Sequence, residues 1–237
     1  MATFPRNGIT FAIATETDGR CGLAFAIAAL VLNEDGKEMA RFVGRLPDSV
    51  VINDRTKITV LPVMKDHPVT HRTYEEMTGD FAKFYLAYKK RADVVVHMGG
   101  AEAKIFCDMC ERGLIDEQEI PYPLYDVSGN LQAAGADPTS VDAYAAKHGI
   151  RADAFMGGHL PINNPLYGAA LLALVYRKLT KKSFARAVLD RVRHEHFWIP
   201  VSSWPIRIRK CKGCEREEEF RRIGGDCKAW VLRDERP

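Results

Sequence analysis

The 237-residue sequence lacks several features that would place it in a class at once. Its longest apolar run, from Cys21 to Leu32, is too short to cross a bilayer, and no basic leader with a small-residue cleavage site precedes it. We therefore expect no signal peptide, no membrane contact and a cytoplasmic protein. The net charge of +3 is too small to imply a polyanionic partner by itself. Internal repeats and low-complexity segments are also missing.

A disulfide framework is missing as well, because the six cysteines are not spaced like one. Two pairs have C-x-x-C spacing, which in a reducing compartment favours metal binding or simple burial. What is present is an ordinary globular composition, with 46% apolar and 27% charged residues. The length suits one sizeable core with an appendage, or two small domains.

The order of the predicted elements indicates an α/β fold with a mixed sheet. Asp35-Gly36 between two apolar runs is a strong hairpin signal, so the chain opens with three antiparallel strands. An unbroken β-branched run near residue 95 predicts a buried strand parallel to the first. The predicted strands are 9–15, 21–33, 37–46, 93–99 and 123–127, and the predicted helices are 73–91, 101–114, 140–149 and 164–179.

Three short stretches follow buried strands or open helices, where side chains of an active site commonly gather. The first is ATETDG at 14–19, the second is HMGGAE at 97–102, and the third is NNPLYGA at 163–169. In their order and spacing they resemble the three motifs of the DEDDh 3′–5′ exonucleases, the proofreading type. The resemblance covers roughly residues 9–180 and implies a ribonuclease H-like fold, with a mixed sheet flanked by helices.

In that family four carboxylates hold two metal ions that activate water for phosphoryl transfer, and a histidine removes the water's proton. We compared the family's motifs with this sequence position by position. Glu16 stands where the family has one of its acids, and Glu102 is a longer acid where the family has an aspartate. Ala14 and Gly168 stand where the family has its other two acids, and Asn163 stands where it has its histidine. The remaining charge cannot offset two divalent ions, so we expect Mg²⁺ or Mn²⁺ to bind weakly or not at all.

The resemblance therefore predicts a catalytically degenerate exonuclease-like protein that acts by binding single-stranded nucleic acid ends or a protein partner, as a regulator or inhibitor. Contacts to nucleic acid are expected from Thr17, Asp18, His97 and Lys104. The alternative is an active metal-dependent 3′–5′ exonuclease with a rearranged site, in which neighbours such as Asp18, Asp126 or His159 replace the lost groups. Without the family, the same acids are ordinary solvated turn and helix residues, and Lys104 belongs to a solvated helix face.

The segment 181–237 is predicted to be a separate basic appendage to the domain formed by residues 1–180. Cys211 and Cys214 form a C-x-x-C pair after a predicted strand, and Cys227 follows a Gly-Gly turn. With His194 or His196 as a fourth ligand, these thiolates predict a structural Zn²⁺ site. The alternative is a small sheet whose cysteines are free thiols.

Overall fold

The described part of the chain forms two compact units, Met1–Lys182 and Ser183–Pro237. From residue 181 onward only the backbone of regular elements is described. The structure, a computed structural model, describes residues 8–19, 22–65, 67–89, 92–156 and 164–193, and the strand residues 198–200, 208–211, 217–222 and 228–232.

The first unit is built on a five-stranded mixed sheet with strand order β3-β2-β1-β4-β5. Its strands are β1 (Ile9–Thr17), β2 (Ala24–Leu32), β3 (Glu38–Arg45), β4 (Ala92–Val96) and β5 (Tyr125–Asp126). The first three strands pair antiparallel, and β4 and β5 continue parallel to β1. This arrangement confirms the prediction of a mixed sheet that starts with an antiparallel meander. At the β2–β3 turn Gly36 has a φ of +82°, a conformation that glycine adopts without strain.

Eight helices are described. They are α1 (Asp54–Thr59), α2 (Leu61–Met64), α3 (Tyr74–Tyr88), α4 (Gly100–Glu111), α5 (Val127–Ala133), α6 (Val141–Lys147), α7 (Ala152–Phe155) and α8 (Pro165–Arg193). Thr73 caps α3 by accepting a hydrogen bond from the Glu76 amide. The helix predicted over 164–179 is longer than expected, since α8 continues to Arg193. Within the described residues, no helix is both long and apolar enough to cross a membrane.

The two faces of the sheet are covered by different kinds of side chain. Phe11 and Ile13 face α3 and α4 in a core that contains an aromatic cluster, in which the Phe11 and Tyr85 rings lie 5.8 Å apart. On the other face, α8 packs through small residues, because Ala12 and Ala28 of the strands share a cluster with Ala169, Ala170 and Ala173 of the helix. Alanines on both sides let the helix backbone approach the sheet closely.

The second unit contains a four-stranded antiparallel sheet with strand order β6-β7-β8-β9. The strands are β6 (Trp198–Pro200), β7 (Ile208–Cys211), β8 (Glu217–Arg222) and β9 (Lys228–Leu232). Its register pairs basic positions of β7 with acidic positions of β8, with Arg209 opposite Glu218 and Lys210 opposite Glu217. Cross-strand pairs of opposite charge favour one register over its neighbours.

Candidate functional site

A cleft of about 290 Å³ lies where the ends of β1 and β4 meet the first turns of α4, α6 and α8. All three motif stretches contribute to its wall. The motif positions that line it are Ala14, Glu16, His97, Glu102 and Gly168, joined by Thr15. The structure therefore brings together five of the positions predicted from the resemblance. We call this feature the motif cleft.

Ala14 and Gly168 stand at the two positions where the resemblance places a carboxylate and this chain has none. These two residues lie close together. A Cβ atom added to Gly168 would come within 3.3 Å of the Ala14 Cβ, which is tighter than most contacts between such atoms. The start of α8 is fixed there, because the Asn164 side chain accepts a hydrogen bond of 2.8 Å from the Leu166 amide. The two positions where the resemblance places acids are thus held by small residues that pack closely at the wall of the motif cleft.

Glu102 lies in the first turn of α4 and is only 5% exposed. The Thr15 hydroxyl donates a hydrogen bond of 2.8 Å to its Oε1 atom. Burial raises the pKa of the Glu102 carboxyl, although this hydrogen bond and one from its own backbone amide favour the charged form. Thr15 was not predicted as a site residue. It lies between Ala14 and Glu16 on β1, so its side chain is on the opposite face of the sheet from theirs.

Glu16 lies near the end of β1, opposite Ala26 of β2, which in turn lies opposite Arg45 of β3. Burial raises the pKa of Glu16 to about 7. The Arg45 guanidinium does not relieve this, because it pairs with Asp48 at 2.5 Å and donates to the carbonyl of His67. In the described part of the chain, no ion pair involves the Glu16 carboxylate.

His97 and the start of α4 are held by contacts outside the motif cleft. His97 Nε2 donates a hydrogen bond of 2.9 Å to the Pro138 carbonyl, which only accepts. Asp126 Oδ1 accepts hydrogen bonds from the amides of Met98, at 3.2 Å, and Ser128, at 2.9 Å. Burial alone would raise the pKa of Asp126, but these amide hydrogen bonds hold it below its usual value. Asp126 therefore caps α5 and holds the backbone just before α4, and it is not among the residues that line the cleft.

The other predicted nucleic-acid contacts lie beyond the motif cleft. The Thr17 hydroxyl donates a hydrogen bond of 2.7 Å to the Gly19 carbonyl. The Asp18 carboxylate accepts from the amides of Ile52, at 3.0 Å, and Asn53, at 2.9 Å, which ties the end of β1 to the start of α1. Lys104 lies on the exposed side of α4.

No group of three or more His, Cys, Asp or Glu side chains is placed to hold a metal ion among the residues that the structure describes. Glu16 and Glu102 are among these described residues. The predicted zinc ligands Cys214, Cys227, His194 and His196 lie outside them, as does Asn163. Only the backbone of Cys211 is described, at the end of β7. The zinc site stays a prediction.

Comparison with models of known protein families gave no match, and none of the curated proteins matches the chain significantly. The resemblance to the exonucleases therefore depends on the three motifs and on the sheet that carries them.

Proposed function

We propose that residues 1–180 form a ribonuclease H-like domain of the DEDDh exonuclease type that binds the end of a single-stranded nucleic acid in the motif cleft without cutting it. The observation that carries the proposal is the contact between Ala14 and Gly168. In the family both positions supply carboxylates, and here neither does, while a Cβ atom added to Gly168 would already come within 3.3 Å of the Ala14 Cβ.

The chemistry of the remaining acids agrees with a loss of catalysis. Two-metal phosphoryl transfer needs ionised carboxylates that hold both ions about 4 Å apart. Glu16 and Glu102 are the acids that remain at the family positions, and burial raises the pKa of both. Mg²⁺ binds charged oxygens in a strict octahedron, and two carboxyl groups supply too few ligands to hold two such ions. The alternative of an active, rearranged nuclease would need ligands from outside the described residues.

The described polar lining of the motif cleft consists of three acids, Glu16, Glu102 and Asp142, together with His97 and neutral groups. A Glu16 carboxyl with a pKa of about 7 is protonated in about half of the molecules at neutral pH, so it can donate as well as accept. The Thr15 hydroxyl and Asn164 side chain also line the cleft, and no Lys or Arg is among its described lining residues. These groups suit a terminal sugar and base better than a phosphate. We expect weak binding that strengthens as the pH falls through 7.

A combined binding and digestion assay tests the proposal. Labelled single-stranded DNA and RNA are incubated with the protein in Mg²⁺, Mn²⁺ or EDTA, and anisotropy and gel analysis are read from the same samples. The expected result is binding without shortening, with a 3′-hydroxyl end preferred to a 3′-phosphate end. The added negative charge of a 3′-phosphate would meet three acids, Glu16, Glu102 and Asp142, and no Lys or Arg among the described lining residues.

Two results would count against the proposal. Metal-dependent shortening from the 3′ end would establish the active nuclease instead. Equal affinity for the two kinds of 3′ end would show that the end does not enter the motif cleft.

A further inference from the structure

A second concavity of about 700 Å³ lies away from the motif cleft, between the start of β2, the turn at Asp48–Val50 and the first turns of α1 and α3. We call it the apolar groove. Most of its wall is hydrocarbon, from Leu23, Phe25, Leu46, Val50, Ile52 and Tyr74.

Three of these side chains are unusually exposed for their size. Ile52 is 77% exposed, Leu23 is 54% exposed and Val50 is 40% exposed, and all three line the same groove. Isolated aliphatic residues on a surface need no explanation, but several that converge on one concavity are typical of a binding site.

Ile52 is presented on a fixed backbone. Its amide donates a hydrogen bond of 3.0 Å to Asp18 Oδ2, and the amide of Asn53 donates to the other oxygen of the same carboxylate at 2.9 Å. Asn53 then caps α1 by accepting from the Thr56 amide. Because these hydrogen bonds fix the backbone at Ile52, less conformational freedom is lost when a partner covers its side chain.

The charged residues in the described lining of the groove are both acidic. Asp18 and Asp54 line it, and the described lining includes no Lys or Arg. Lys57 comes within 3.5 Å of Asp54, but the two side chains are 47% and 91% exposed, so this pair gains little in solvent. An acidic rim repels phosphate groups and attracts the side chains of lysine and arginine.

We infer that the apolar groove binds a segment of a partner protein that inserts an aliphatic or aromatic side chain and carries a neighbouring Lys or Arg. The apolar wall accounts for the inserted side chain, and Asp18 and Asp54 account for the basic neighbour. The inference uses different residues from the motif cleft, so either can fail while the other holds.

A library of random dodecapeptides displayed on phage provides the probe. It is selected against the full chain, the Ile52→Ser variant and the Ile58→Ser variant. Ile58 is a matched control, because it is 74% exposed on α1 but does not line the groove. We expect the full chain and Ile58→Ser to select the same apolar and basic consensus, and Ile52→Ser to lose it.

The consensus peptide is then synthesised and its affinity measured by anisotropy. We expect Ile52→Ser to weaken binding at least tenfold, and Asp54→Lys to weaken it while improving binding of a peptide whose basic residues are replaced by Glu. The absence of a consensus, an acidic consensus, or equal enrichment on Ile52→Ser would overturn the inference.

Two further measurements test whether the apolar groove binds nucleic acid or a second copy of this chain instead of a partner protein. If Ile52→Ser, but not Ile58→Ser, loses affinity for labelled oligothymidylate, the groove binds nucleic acid and the inference is wrong. If sedimentation shows a dimer of the full chain that Ile52→Ser abolishes, the occupant is a second copy of this chain, and the inference of a separate partner is again wrong.

Discussion

Replacing Glu16 by Gln should stabilise the protein at high pH and change little at low pH. Glu16 is a partly buried carboxyl with no ion-pair partner among the described residues, and burial raises its pKa from the usual 4.5 to about 7. Glutamine keeps the shape and hydrogen-bonding groups of the protonated acid but cannot ionise. The variant therefore removes the free energy of holding a negative charge in the motif cleft.

The size of the effect follows from proton linkage. Below pH 4.5 the acid is protonated in both the folded and the unfolded chain, so its charge costs nothing. Between pH 4.5 and 7 the unfolded chain releases the proton first, and the stability of the native protein falls as the pH rises. Above pH 7 the full cost is present. A shift of this size corresponds to roughly 3 kcal/mol, and solvent access to the partly exposed side chain reduces it to about 2 kcal/mol.

Urea unfolding between pH 4 and 8.5 measures the difference for the wild-type protein, Glu16→Gln and Glu111→Gln. Glu111 is an exposed acid at the end of α4 and controls for the loss of one negative charge. The stability gap between Glu16→Gln and wild type should open between pH 4.5 and 7 and stay constant above. A gap that is absent at pH 8, or equal for Glu111→Gln, would refute the reasoning. Added Mn²⁺ that closes the gap would show that a cation occupies the cleft.

Three other predictions concern the same cleft and the C-terminal region. Ala14→Asp should lower the free energy of unfolding by about 1–3 kcal/mol, because the larger side chain meets Gly168. The same variant should not digest labelled DNA with Mg²⁺ or Mn²⁺, and digestion would contradict the degenerate site. Thr15→Val should lower the free energy of unfolding by about 1–3 kcal/mol at pH 8, because it removes the hydroxyl that donates to Glu102, whereas Thr15→Ser should keep most of the stability. Equal stability of the two variants would show that this hydrogen bond is unimportant. Metal analysis of protein purified without chelator should find about one zinc per chain, as the C-terminal cysteines predict; a zinc-free protein would leave them as free thiols.

The sheet could be predicted from the sequence because its signals are local. Asp35-Gly36 sets the β2–β3 turn, and the β-branched run of Val94–Val96 has few alternatives to a buried strand. The long helix α8 was predicted too short for a related reason. Its apolar pattern fades after Leu179, but the following residues are rich in Lys, Arg, Ala and Leu, whose helix propensity carries the helix on to Arg193.

Contacts between distant parts of the chain could not be predicted from the sequence. The short helices α1 and α5 were missed because six or seven residues are too few to show a helical period. In the motif cleft, the motifs indicate which positions converge, but they do not show that Thr15 satisfies Glu102. They also do not show that Asp18 is committed to the amides of Ile52 and Asn53. Such pairings depend on the packing of elements far apart in sequence.

The close contact of Ala14 with Gly168 also restricts how this chain could change over generations. A Cβ atom at position 168 would lie 3.3 Å from the Ala14 Cβ, so an acid introduced at either position would crowd the other and would add a charge without a second ligand. Two acids introduced together could share a metal ion that neither could hold alone. We therefore expect each single substitution to be unfavourable and a carboxylate pair to arise only through two linked substitutions.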